Sequence, residues 1–306
     1  MHTLKPILVT GSHKSGTTWV GRMISAAAHI GYIHEPFNVG IKIGVNPRPS
    51  RYWFQHICDR NVENYYLIFE GILRFKYPLR SNLARVSSTR DLAKVVRDQG
   101  LSLSHRVRRD RPLVKDPIAL FSAEWLYENF GMDVLVMIRH PAAFCSSLKI
   151  RGWRFDFRNF LDQPLLMERY LYPFQEKLDE YARNERSVIE QAVLLWTCTH
   201  HVITEYQEQH GNWLFVKHED LSLNPLDRFQ SIYSRFELEF TSRARRRILQ
   251  SSGSHNPAEY TTSNEFMRNS KLSIWNWKDR LERHEIDMIR ERTSDIAGSF
   301  YGEDEW

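Results

Sequence analysis

The stretch Gly11-Ser12-His13-Lys14-Ser15-Gly16-Thr17-Thr18-Trp19 restricts the fold more than any other part of the chain. The apolar run Ile7-Leu8-Val9 leads into it, and Val20, Met23, Ile24 and Ala27 follow at the i, i+3, i+4, i+7 spacing of one helix face. The pattern predicts a strand, a tight loop and a helix. Two glycines five residues apart let the backbone close round an anion. The free N–H groups and positive dipole end of the new helix supply the binding field, so the loop predicts a phosphate ligand.

A nucleoside-triphosphate P-loop requires Lys directly after its second glycine. Here that position is Thr17, and Lys14 stands before Gly16, approaching the anion from the other side of the cradle. Lys14-Ser15-Gly16-Thr17-Thr18-Trp19 after a first strand resembles the 5′-phosphosulfate loop of sulfotransferases, which use 3′-phosphoadenosine 5′-phosphosulfate (PAPS). The resemblance implies a cofactor-binding loop made of Ser12, His13, Lys14, Ser15, Gly16, Thr17, Thr18 and Trp19. The plainer reading, a Gly/Ser/Thr turn before a helix cap, leaves the Lys and the Trp unexplained.

Downstream, Gly31 to Asn38 reads as a short second strand ending in Glu35, with His34 on the opposite face. Ligand sites of parallel sheets lie beyond the carboxyl ends of the strands, which turns Glu35 toward the phosphate loop. A surface carboxylate before Pro36 is the alternative; in sulfotransferases resembling the tyrosylprotein enzymes, a Glu at this point deprotonates the acceptor hydroxyl. Residues 40–111 lack α/β alternation and predict an inserted, mainly helical region. Between Arg74 and Arg111 it carries eleven Lys or Arg against three acidic residues. That is a solvated basic face or a wall for an acidic acceptor such as a polyanionic glycan.

Alternation resumes with Pro112 to Pro117, a strand closing on Lys115-Asp116, and a helix over about 119–130. Asp133 to Ile138 is continuously apolar, as a buried parallel strand should be, and Arg139 ends it. A helix then starts at Pro141, and Ser147 sits two turns in, so that Arg139 and Ser147 can converge on one phosphate. Arg139-His140-Pro141 with Ser147 resembles the 3′-phosphate motif of sulfotransferases, and Lys115-Asp116-Pro117 a family element whose Lys neutralises the moving sulfonate. Residues 151–186 are rich in aromatics and read as a lid or acceptor region. Ser187 to His210 is a long helix with a core stripe, and Asn212 to Lys217 a last strand. It runs into His218-Glu219-Asp220-Leu221, which matches a family signature with a capping and packing role. Near the end, Arg268 and Lys271 stand where the family closes a basic loop over the nucleotide.

Together, along residues 6–280, the resemblance implies one α/β domain over residues 1–306, a P-loop-like three-layer fold with a central parallel sheet flanked by helices and a helical insertion. It implies sulfonate transfer from PAPS to a hydroxyl or amine, with 3′,5′-ADP as product and no metal. Lys14, Glu35 and Lys115 would be catalytic, and the loop, Arg139, Ser147, Arg268 and Lys271 would bind the nucleotide. The acceptor stays open among glycan, lipid, small molecule and peptide tyrosine, with a carbohydrate or other small metabolite favoured. A small-molecule kinase and a non-catalytic nucleotide or polyanion binder remain the rival readings.

Composition is consistent with this. The 306 residues, 42 % apolar and 26 % charged, suit a globular domain, and no apolar run nears the roughly 18 residues of a membrane span. Met1 to Thr10 leaves no room for a leader, which predicts a cytoplasmic protein. Cys58, Cys145 and Cys198 suggest neither a disulfide framework nor a zinc site. The net charge of +5 favours anionic ligands, while the mixing of signs and the lack of a nucleic-acid-binding signature argue against nucleic acid.

Overall fold

A computed structural model describes residues 5–48, 50–257, 267 and 269–306 of the chain. Its centre is a sheet of five parallel strands in the order β2-β3-β1-β4-β5: β1 (Ile7–Gly11), β2 (Ile30–His34), β3 (Arg111–Lys115), β4 (Asp133–Ile138) and β5 (Leu214–Lys217). Successive side chains of a strand point to opposite faces, so continuously apolar strands need cover on both. Leu8, Val114, Val134 and Val136 pack on one side with Phe144 and Trp196. Ile7, Val9, Leu113, Leu135 and Met137 pack on the other with Val20, Met23 and Phe229. Those two apolar clusters with the sheet between them make the α/β three-layer fold.

The loop of residues 12–16 joins β1 to α1 (Thr17–Ile24). This helix stops short of Ala27, which is nonetheless buried in the same cluster. The chain then crosses to β2 at the sheet edge, returns to β3 between the two, and places β4 and β5 on the far side of β1. The winding therefore reverses around β1, which opens a crevice at the carboxyl ends of β1 and β4.

Between β2 and β3 lie α2 (Tyr66–Leu73), α3 (Leu79–Leu83) and the long α4 (Thr89–Arg108). The Ser88 hydroxyl accepts from Asp91 N at 3.1 Å and so caps α4. The helix expected from about residue 119 begins later, as α5 (Ala123–Phe130), behind a 3₁₀ turn over Pro117–Ser122. Asp116 causes the delay, because its carboxylate accepts from Ile118 N (3.1 Å) and caps the tighter turn first. Then come α6 (Pro141–Lys149) and the helix Val188–Gln209, opened by a reciprocal Ser187–Glu190 capping box. Cys145 and Cys198 are buried, and burial pushes both thiols well above their ordinary value. No helix among the described residues is long and apolar enough to cross a membrane.

Candidate active site

All five strands finish at one rim of the sheet. The residues that follow them there are the loop after β1, Glu35 after β2, Asp116 after β3, Arg139 after β4 and His218 after β5. A cavity of about 660 Å³ opens at this rim, within the size range of small-molecule sites.

The two loop glycines are there for geometric reasons. Gly11 has φ +137°, and a Cβ on it would lie 2.4 Å from the Met137 carbonyl oxygen. Gly16 has φ +91°, and a Cβ on it would lie 2.5 Å from His218 Nδ1. Lys14 and Glu35 also sit in the left-handed region, at φ 63° and 44°. Such a backbone costs a residue with a Cβ roughly 1–3 kcal/mol and persists where the surroundings hold it. The hold on Lys14 is visible, since its carbonyl accepts from Arg139 Nη1, while Trp196 Nε1 binds the Arg139 carbonyl at 2.8 Å. Lys14, Gly16, Thr17, Thr18 and Trp19 line the cavity. Trp19 is fixed by an Nε1 donation to Ser251 Oγ at 2.9 Å. Ser12 and Ser15 are buried behind the loop and do not line it; the Ser15 hydroxyl donates to the Ser12 carbonyl at 2.5 Å.

His13 lines the cavity from beneath, edge-on to Phe54, Phe144 and Trp153. Burial, helped by the charge of Lys14, drives its imidazole down to about 3, so it is neutral at physiological pH. Arg139 and Ser147 both reach the cavity from the β4–α6 junction. Glu219 braces that junction, its carboxylate accepting from His140 N (3.2 Å) and from the Tyr301 hydroxyl (3.0 Å). This is the physical content of His218-Glu219-Asp220-Leu221.

Glu35 lines the cavity and forms an ion pair with Lys115, whose side chain is fully buried and is not itself among the lining groups. Burial works to raise the Glu35 carboxyl, but the Lys115 charge and hydrogen bond outweigh it and hold it below the usual carboxylate range. Burial lowers Lys115 in turn, against the pull of Glu35. Behind them Asp116, enclosed and accepting from Phe37 N at 2.7 Å, is pushed up to about 7, first by burial.

Two nucleotide contacts were expected in the basic loop near the end of the chain. Arg268 lies outside the described residues. Lys271 is exposed and does not line the cavity, because the turn is anchored with Ser270 inward, its hydroxyl donating to the Ser222 carbonyl at 2.7 Å. The cations that do line that side are Arg151 and Arg280. Sequence reading missed these two, together with Asn38 and Trp53. Only Asn38 carried a signal, three residues after Glu35, whose Oε2 it binds at 2.6 Å. The far wall is aromatic: Trp53 and Trp153 stand nearly perpendicular, 6.3 Å apart, and Lys14 Nζ lies 5.3 Å from the Trp153 ring centre.

Comparison with known proteins gives three results. No curated protein sequence matches. Among solved structures, similarity is found to a sulfotransferase domain from the curacin biosynthetic pathway, at 12 % identity over 96 % of this chain and 99 % of that one, TM-score 0.48. It is also found to sulfotransferase STF9 from Mycobacterium avium (11 %, 98 % and 77 %, TM-score 0.46) and to mouse sulfotransferase SULT7A1 complexed with PAP (11 %, 99 % and 87 %, TM-score 0.42). The sequence model of the sulfotransferase family matches residues 6–242, and on that match the chain belongs to the sulfotransferase family.

Proposed function

We propose that the protein transfers a sulfonate group from PAPS to an acceptor hydroxyl at this cavity. The observation that carries the reading is that one continuous cavity is lined by a phosphate-type loop with Lys14 and by a carboxylate, Glu35. Its dimensions and its cations, Lys14, Arg139, Arg151 and Arg280, suit a nucleotide with phosphate at both ends. Thr17, Thr18 and the loop amides bind the 5′-phosphate, and Arg139 with Ser147 takes the 3′-phosphate.

In the reaction Glu35 accepts the proton of the acceptor hydroxyl as its oxygen bonds to sulfur. The bond from sulfur to the phosphate oxygen breaks in line, and Lys14 neutralises the charge left on that oxygen. Lys115 acts through Glu35, holding it in the deprotonated form that can accept a proton. Its buried position makes direct contact with the sulfonate dependent on a shift of Glu35, so the charge-neutralising role expected of it passes chiefly to Lys14. Positioning and charge carry the catalysis, as in phosphoryl transfer.

Calorimetric titration with 3′,5′-ADP in EDTA, beside ATP with Mg²⁺, tests the donor. Micromolar binding of 3′,5′-ADP is expected, weakened at least tenfold in Ser147→Ala and further in Arg139→Ala. Tight binding of Mg-ATP alone, indifferent to both changes, refutes the reading in favour of a kinase.

A further inference from the structure

The helical segment between β2 and β3 carries a concentration of exposed apolar side chains that the cavity does not use. Leu92, Val96, Leu103 and Val107 of α4 are all exposed, Val96 by 66 % and Val107 by 74 %, and Leu67 of α2 by 75 %. At 100° per residue the four positions on α4 fall within an arc of about 60°. The opposite problem, a stripe meant for the core, does not arise, because α4 is already packed along another side. Val95 is buried there, His105 lies with its ring 5.1 Å from that of Phe75, and Lys94 Nζ donates to the Ile43 carbonyl at 2.6 Å.

Charge identifies what meets the stripe. Within α4 five Lys or Arg stand against two Asp. By helix geometry Arg90, Arg97 and Arg108 flank the apolar arc on one side and Arg106 on the other, whereas Asp91 and Asp98 fall toward the packed side. Asp91 is occupied by Ser87 and Lys42, Asp98 by Arg97 and Asp110 by Arg108, so two of the flanking arginines are ion-paired within the protein while staying more than half exposed. An apolar ridge between arginines is the pattern of a helix lying in a membrane interface, apolar face toward acyl chains and cations among anionic headgroups. A second copy of the same helix would bring like charges together.

We infer that α4 is an interfacial helix that seats the protein on an anionic lipid surface. The inference stands apart from the sulfonate-transfer reading. It is tested by co-sedimentation of the full chain with phosphatidylglycerol–phosphatidylcholine vesicles, beside phosphatidylcholine alone, at low and high salt. Binding only to the anionic vesicles is expected, weakened by salt and reduced at least tenfold in Val96→Glu/Val107→Glu, whose circular dichroism stays that of the wild type. Absence of binding, or binding that the double variant retains, overturns it. So does a dimer in light scattering that the double variant dissociates while vesicles are ignored, since a second copy then covers the stripe. Retention on heparin without vesicle binding also overturns it, assigning the cations to a soluble polyanion.

Discussion

Strand β3 has a buried cation at each end, and the two have been put to opposite uses. At its amino end Arg111 is 4 % exposed and each of its three side-chain nitrogens has a partner: it binds Asp133 at 2.6 Å and the carbonyls of Lys5 and Phe236. At its carboxyl end Lys115 is equally buried, but its partner Glu35 faces the cavity. Arg111 ties three segments of scaffold together with a fork of donors that only a guanidinium offers. Lys115 is a point charge whose effect is felt at a carboxylate that a substrate can reach. The same strand thus carries, four residues apart, a charge that ties scaffold together and a charge whose partner borders the cavity, and the difference lies in where the partner's other face looks.

The largest expected effect is on Glu35 itself. Glu35→Gln keeps the shape of the site and removes the proposed base, so turnover should fall by about a hundredfold or more while 3′,5′-ADP affinity holds. If turnover survives, Lys115 and Glu35 are as structural as Arg111 and the contrast collapses. Next in size is Arg111→Met, which strands Asp133 and leaves two carbonyls without their donor. It should cost about 3 kcal/mol, the low end for breaking a buried pair because Asp133 keeps some solvent. Urea unfolding measures that loss, and activity per folded molecule should be unchanged. Lys115→Met sharpens the point from the other end. Glu35 keeps access to cavity water, so the stability loss should be smaller than for Arg111→Met. Without the ammonium, however, the carboxyl returns upward and is protonated at higher pH. The acidic limb of the kcat/KM profile therefore moves to higher pH; an unmoved limb would mean that Lys115 does not tune Glu35.

The contrast also explains what could be read from the sequence. The loop, Glu35 and Arg139 were legible at the cavity because each sits within a few residues of a strand end, and strand ends converge in a parallel sheet whatever the rest of the chain does; Ser147 follows from Arg139, two turns into the helix that β4 feeds. The two charged residues at the ends of β3 look alike in sequence, and nothing local says that Lys115 is enclosed or that Arg111 spans to Phe236. Trp53, Arg151 and Arg280 were invisible for the same reason, since each reaches the cavity only through tertiary packing. Lys271 shows the converse: a basic residue in the expected stretch turns outward because Ser270 beside it is the one anchored inside.

Two histidines extend the comparison to smaller energies. His13 at the cavity and His200 in the core are both buried and both held neutral, chiefly by burial, down to about 3. His200 stacks on Trp196 at 4.0 Å, and its Nε2 has no partner among the described residues. A folded-state value below the unfolded one means that the unfolded chain binds the extra proton. Stability is therefore complete above about pH 6.5 and drains away as pH falls toward 3. At pH 5.5, one unit below the ordinary value, each such group removes about 1.4 kcal/mol. His200→Phe keeps the stacked ring and deletes the titration, so urea unfolding at pH 5.5 against pH 7.5 should show a gap narrower by about that amount. The variant should leave turnover intact, because His200, like Arg111, belongs to the scaffold. A gap that does not narrow would mean that the core admits a charged imidazole, and that burial alone does not distinguish the scaffold from the site.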